Sequence, residues 1–133
     1  MREFVRSQTD VLLRRLAVQA DRAAASAEEA AIHDLRVAIR RLSRCLRVFA
    51  AFYPGRSWKD LRRRLRSLME ACAAVRDRDI AIALLTESGV APGSPLLTRL
   101  HAERHGAQSG LRRKLRSWKD GAIYQRWQAR LEL

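Results

Sequence analysis

Residues 32–49 read IHDLRVAIRRLSRCLRVF, and the spacing within this stretch decides the fold. At about 100° of rotation per residue, Leu35, Ala38, Ile39, Leu42, Cys45, Leu46 and Phe49 share one side of a helix. Opposite them stand His33, Arg36, Arg40, Arg44 and Arg47, within about 80° of one another and spread over roughly 21 Å. No Asp or Glu interrupts that row. Opposite charges at i,i+4 support a helix and like charges weaken it. Four stacked arginines without a counter-ion therefore imply an anion lying against them, set against the ordinary alternative of a solvated basic face.

The whole chain has the same bias. Its 133 residues fit one domain, and an apolar content of 47% favours a folded globule over disorder. Lys and Arg number 27 against 14 Asp and Glu, a net charge of +13, and all but Lys59, Lys114 and Lys119 of the basic residues are Arg. Such an excess implies a polyanionic partner: nucleic acid, polyphosphate or an acidic membrane. The guanidinium fork contacts two phosphate oxygens at once, which favours phosphate. A GC-rich genome would contribute to the same Arg and Ala usage. Cys45 and Cys72 sit on apolar helical faces without a C-x-x-C pair, which predicts buried free thiols. The opening MREFVRSQTDVLLRRLAVQA is too interrupted by charge for a signal peptide or a membrane span, which predicts cytoplasmic residence.

Along the chain, residues 2–25 read as a first helix with Phe4, Val5, Val11, Leu12, Leu16 and Ala20 on its core side. Ser26 and Glu29 have capping-box spacing, placing a break near Asp21–Ser26 and a second helix from about Ala27. That helix should end near Ala51–Tyr53, ahead of the Pro54-Gly55 turn. Ser57 is the expected N-cap of a third helix, from Trp58 to about Val75, with Trp58, Leu61, Leu65, Leu68, Met69 and Cys72 inward. Arg62 and Arg66 stand beside that stripe. Asp77 or Asp79 then caps a short helix over Ile80–Thr86, which ends before Gly89. Ser94-Pro95 is an N-cap and N1 pair opening a long helix to about Lys119, with Gly106 and Gly110 as weak points. Its core row includes Leu97, Leu111, Leu115 and Trp118, and beside it runs a second basic row: His101, His105, Gln108, Arg112, Arg116 and Lys119. Ala122–Leu131 reads as a final short helix.

The pattern H-x-x-R-V-x-x-R-R-L, carried here by His33, Arg36, Val37, Arg40, Arg41 and Leu42, resembles the signature helix of the CHAD family, the conserved-histidine α-helical domains. The segment Arg76-Asp77-Arg78-Asp79 resembles that family's R-D-x-D turn, and the run from Arg104 through Leu111 and Leu115 to Tyr124 resembles its long fourth helix. The resemblance implies a helical bundle whose basic residues line a pore and bind inorganic polyphosphate. The family usually has two successive four-helix halves, and this chain has length for about one half of a typical CHAD domain. Whether it is a natural half or part of something longer is left open. Ser43 stands where the family often has another Arg.

Two constellations invite a catalytic or metal reading. His101 and His105 have the spacing of helical zinc ligands, yet the order His-Ala-Glu-Arg-His is not H-E-x-x-H and no third ligand is evident, so no metal site is expected. As members of a basic row they would donate to phosphate through ring N–H groups. His33 lacks a nucleophile partner, and Asp34 points about 100° away. No Gly-rich phosphate loop or paired carboxylates for Mg²⁺ appear.

The expected protein is therefore all-α: a four-helix bundle with short accessory helices, a single domain over 1–133, binding inorganic polyphosphate without catalysis or a cofactor. The binding residues expected on the inner helical faces are His33, Arg36, Arg40, Arg41, Arg44, Arg47, Arg62, Arg66, His101, His105, Arg112, Arg116 and Lys119. No membrane partner is expected, and association with cytoplasmic polyphosphate granules would fit. Alternatives are a nucleic-acid-binding helical module and an accessory domain of a phosphate-processing enzyme. A homodimer is also expected, with Trp118, Trp127, Leu131 and Leu133 as its apolar contact or, equally, as part of the monomer's own core.

Overall fold

A computed structural model describes all 133 residues. The elements are α1 (Arg2–Ala25), α2 (Glu29–Val48), a 3₁₀ turn (Ala50–Phe52), α3 (Ser57–Glu87), α4 (Pro95–Asp120) and α5 (Ile123–Arg130), with no strand. α2 packs on α1 and α3, while α4 packs on α3 and α1, so α2 and α4 stand diagonally across a four-helix ring. The short α5 closes against α1 and α4. The fold is the expected all-α bundle. No helix is long and apolar enough to cross a membrane.

The core is built from the helical rows. Leu13, Leu16, Leu35, Ile39, Leu42 and Leu46 are fully buried, and Leu61, Leu65, Leu68, Leu111 and Leu115 meet them. The inward face of α1 differs from the expected one. Phe4 and Val11 are 54% and 40% exposed, whereas Val5, Thr9, Leu13, Leu16, Ala20 and Ala23 point inside. Thr9 was invisible to a reading that followed apolar residues only. Its hydroxyl donates to the Val5 carbonyl at 2.7 Å and accepts from the Tyr53 phenol at 2.7 Å, so the buried polar group is satisfied. Burial, together with the neighbouring Cys45 thiol, pushes the Tyr53 phenol well above its ordinary value despite the opposing Thr9 bond.

The linkers show where local signals were overridden. Ser26 does not open a capping box. It ends α1, donating its N–H to the Arg22 carbonyl, and α2 begins after Glu28 with no side-chain cap. A link of three residues leaves Ser26 committed to the preceding helix. Ser57 likewise lies inside α3, behind an uncapped Arg56. Ser94 behaves as expected, accepting from the Leu96 N–H at 3.3 Å with Pro95 in the first turn. Gly89 follows the end of α3 at φ +85°, the left-handed conformation expected of a residue past a helix C-terminus.

The largest departure is the length of α3. It runs unbroken from Ser57 to Glu87, so the expected turn at Arg76–Asp79 and the separate helix after it are one continuous element. No Gly or Pro interrupts the segment, and Asp79 finds a partner across the helix interface instead of capping a new start. Asp79 pairs with Arg104 of α4, and Arg78 lies 3.7 Å from Glu103.

The C-terminal residues offered for a dimer contact are spent within the monomer. Trp118, Trp127 and Leu131 are buried in its core, and Leu133 packs against it.

Two consequences can be measured. Gly106 lies inside α4, and a Cβ built there meets nothing within 4 Å. Gly106→Ala should therefore raise stability by about 1 kcal/mol in urea denaturation, the helix-propensity difference with no steric offset. Cys72 is fully buried, and burial pushes its thiol up to about 12. The unfolded thiol ionises near pH ~8.5, so the contribution of Cys72 is fully present below that pH and is lost as pH rises toward 12. Stability should fall over that window, and Cys72→Ala should flatten the fall relative to its own value at neutral pH.

Candidate phosphate-binding groove

α2 turns its apolar row to the bundle and leaves its basic row along the seam with α3. A cavity of about 390 Å³ there is lined by Arg40, Arg44 and Arg47 from α2 and by Arg62 and Arg66 from α3. Ile39, Leu65 and Met69 contribute its apolar surface, Ser43 adds a hydroxyl, and no carboxylate lines it. None of the five arginines forms an ion pair, whereas Arg14, Arg22, Arg78, Arg104 and Arg130 each do. At the ~6 Å spacing of helical neighbours, each like-charged pair repels by about 0.7 kcal/mol even in bulk water. The Nε of Arg62 is buried with no acceptor, as are those of Arg36 and Arg112. A buried unpaired N–H costs about 1–3 kcal/mol. The seam thus concentrates donors that lack acceptors.

Further along the same seam a second cavity, of about 550 Å³, has a different character. His33 and Arg36 face Arg76 there, beside Glu29, Asp34 and Asp79. Asp34 is held by Arg22 and Asp79 by Arg104, so two of the three acids are already engaged. That pairing also leaves Asp34 oriented to a partner other than His33. No three His, Cys, Asp or Glu side chains converge as a metal-holding group.

Arg76 was missed in the sequence because the third helix was stopped at Val75. On the continuous α3, Arg62, Arg66 and Arg76 fall within about 80° of one another, the same signature that marked the α2 row.

Other expected residues lie elsewhere. Arg41, about 100° around α2 from Arg40, lines a cavity with Leu12, Arg15 and Gln19 on the α1 side. Lys119 lines another with Ala17, Ala20 and Asp21, between α4 and α1. His101, His105 and Arg116 are exposed on α4, and Arg112 is half-buried there. Because α4 is diagonal to α2, its basic row does not share the seam. The inner faces of the four helices carry the apolar core instead, so the basic rows do not line a channel through this bundle.

Helix packing and charge together define an all-α bundle carrying a cationic seam between two antiparallel helices. The chain belongs to the CHAD domain family, whose model matches residues 8–133. Neither the curated proteins nor the solved structures give a match.

Proposed function

We propose that this CHAD domain binds inorganic polyphosphate along the α2/α3 seam and does not transform it. The observation that carries the reading is the cavity of five arginines with no ion pair and no carboxylate among its lining residues. A linear polyphosphate presents acceptor oxygens on every unit, and guanidinium forks match them bidentately. A chain one phosphate wide can lie between two helices, while a rigid duplex roughly 20 Å wide reaches only the outer rims.

Nucleic-acid binding is the competing reading, since the same charges attract any phosphate backbone. No aromatic side chain lines either seam cavity as a base-stacking platform. Trp118, Trp127 and Tyr53 are buried in the core, Tyr124 is tied to Asp10 at 2.6 Å, and the half-buried Trp58 packs against the core with Lys59 over its ring. Titrating long-chain polyphosphate, duplex DNA and tRNA at two salt concentrations tests the choice. Polyphosphate should bind at least about tenfold tighter than duplex DNA, a difference of about 1.4 kcal/mol, with both weakening in salt. Equal affinities would overturn the seam reading in favour of diffuse charge. With the C-terminal apolar residues already buried, pairing of two copies would depend on one long polyanion bridging two +13 chains.

A further inference from the structure

The two cavities of the seam are unlike in a way that a uniform polyanion does not explain. In one, the only charged lining side chains are arginines. The other mixes two arginines and a histidine with three carboxylates and has an apolar wall of Ala30, Ile32 and Ile80. Glu29 is the carboxylate here without an ion pair and it disfavours phosphate, so the group suited to this end is uncharged, flat enough for the space between two helices, and able to donate hydrogen bonds. It must also be joined to something that suits the arginines, because Arg36 belongs to this cavity and Arg40, one helical turn on, to the next.

We propose that the seam accepts a purine nucleoside 5′-polyphosphate. Its base lies in the mixed cavity and its phosphate chain runs over Arg36 toward Arg40. The inference rests on the preceding reading only in that the arginine seam binds phosphate. A volume of about 550 Å³ lies within the ~300–1,000 Å³ of small-molecule sites, which combine apolar walls with a few polar groups. Ile80, 45% exposed with nothing yet covering it, offers surface to a purine face beside the exposed Ala30, while Ile32 backs the wall from the core. The imidazole of His33 and the guanidinium of Arg76 are exposed and free of ion pairs, available to stack on the same ring. Glu29 forms no ion pair and can accept from an exocyclic amine, which adenine carries on C6 and guanine on C2 and which uracil lacks. Tripolyphosphate has no such group to bring.

The test compares ATP, GTP, UTP and tripolyphosphate by calorimetric titration without divalent metal at one salt concentration. Charge alone favours tripolyphosphate or leaves the four equal. ATP and GTP should instead bind about tenfold tighter than tripolyphosphate, with UTP close to tripolyphosphate. Ile80→Ser and Glu29→Gln should each shrink that ratio to within about twofold. Because the readout is a ratio, a uniform electrostatic gain from removing Glu29 does not enter it. Purine nucleotides binding no tighter than tripolyphosphate, or a preference that survives both substitutions, would overturn the inference. If long-chain polyphosphate still bound in that case, the seam reading would stand and this inference alone would fall. Failure of every phosphate compound to bind would remove both.

Discussion

Replacing Arg40 and Arg44 together by alanine is expected to weaken polyphosphate binding by about 2–4 kcal/mol, roughly 30- to 1,000-fold. Each guanidinium supplies a charge-assisted contact of ~1–2 kcal/mol in a cavity where it has no competing carboxylate. The fold should survive. Both side chains are exposed, neither forms an ion pair, and the core row of α2 is untouched. Removing two like charges one turn apart should leave the melting temperature unchanged or raise it. The control is Arg63→Ala with Arg126→Ala, an equal loss of charge away from the seam. Arg63 is 76% exposed and faces only Asp60 at 3.7 Å, and Arg126 is exposed without an ion pair. If the two double variants weaken binding equally, the long-range field of the chain binds polyphosphate and the seam has no special role.

Trp127→Ala should be the most damaging single change to the fold, at about 3–5 kcal/mol in urea denaturation. The eight-residue α5 is too short to persist by itself and depends on docking. Its anchor is Trp127, fully buried among residues of the main core. Arg130 stacks over the indole with its guanidinium carbon 4.3 Å from the ring centroid and donates to Asp60 of α3 at 3.0 Å. Tyr124 donates to Asp10 of α1 and accepts from Arg14 at 2.8 Å. Since a typical domain is stable by only about 5–15 kcal/mol, the variant should lose a large share of its margin. Trp127→Phe should cost distinctly less, because the indole Nε1 is buried without an acceptor and phenylalanine removes that unpaired donor along with some volume. A cost below about 1 kcal/mol for the alanine variant would show that α5 lies outside the cooperative unit.

Much of this was readable from residue spacing, and the exceptions share a cause. The α2 row and the α3 pair Arg62–Arg66 could be placed on helical wheels, and the structure brings Arg40, Arg44 and Arg47 to one cavity with that pair and leaves His33 and Arg36 to the next. Which helix would face which could not be read, because a wheel describes one helix and adjacency is set by the ring. The α4 row therefore looked equivalent to the α2 row although it lies on the diagonal helix. Arg41 adjoins Arg40 in sequence but is rotated toward α1. The continuous α3 was hidden by an acid-containing segment that resembles a helix start, and one of those acids, Asp79, is satisfied by Arg104 from a distant part of the chain. Missing that continuity also concealed Arg76. Thr9 was overlooked because a hydroxyl enters a core only when acceptors and donors from elsewhere complete it.

The unbroken α3 makes the two sides of the seam into rails of matching length. His33 to Arg47 on α2 and Arg62 to Arg76 on α3 each cover fourteen steps of helix, or about 21 Å at ~1.5 Å per residue. A joint at Val75 would have let the far end swing independently of the near one. Without it, the interval between the arginine-only cavity and the mixed cavity is fixed by helical rise alone. Under the proposed function the seam would act as a graduated rule: a short phosphate would engage one mark, and a chain long enough to run on over Arg36 would engage several at once.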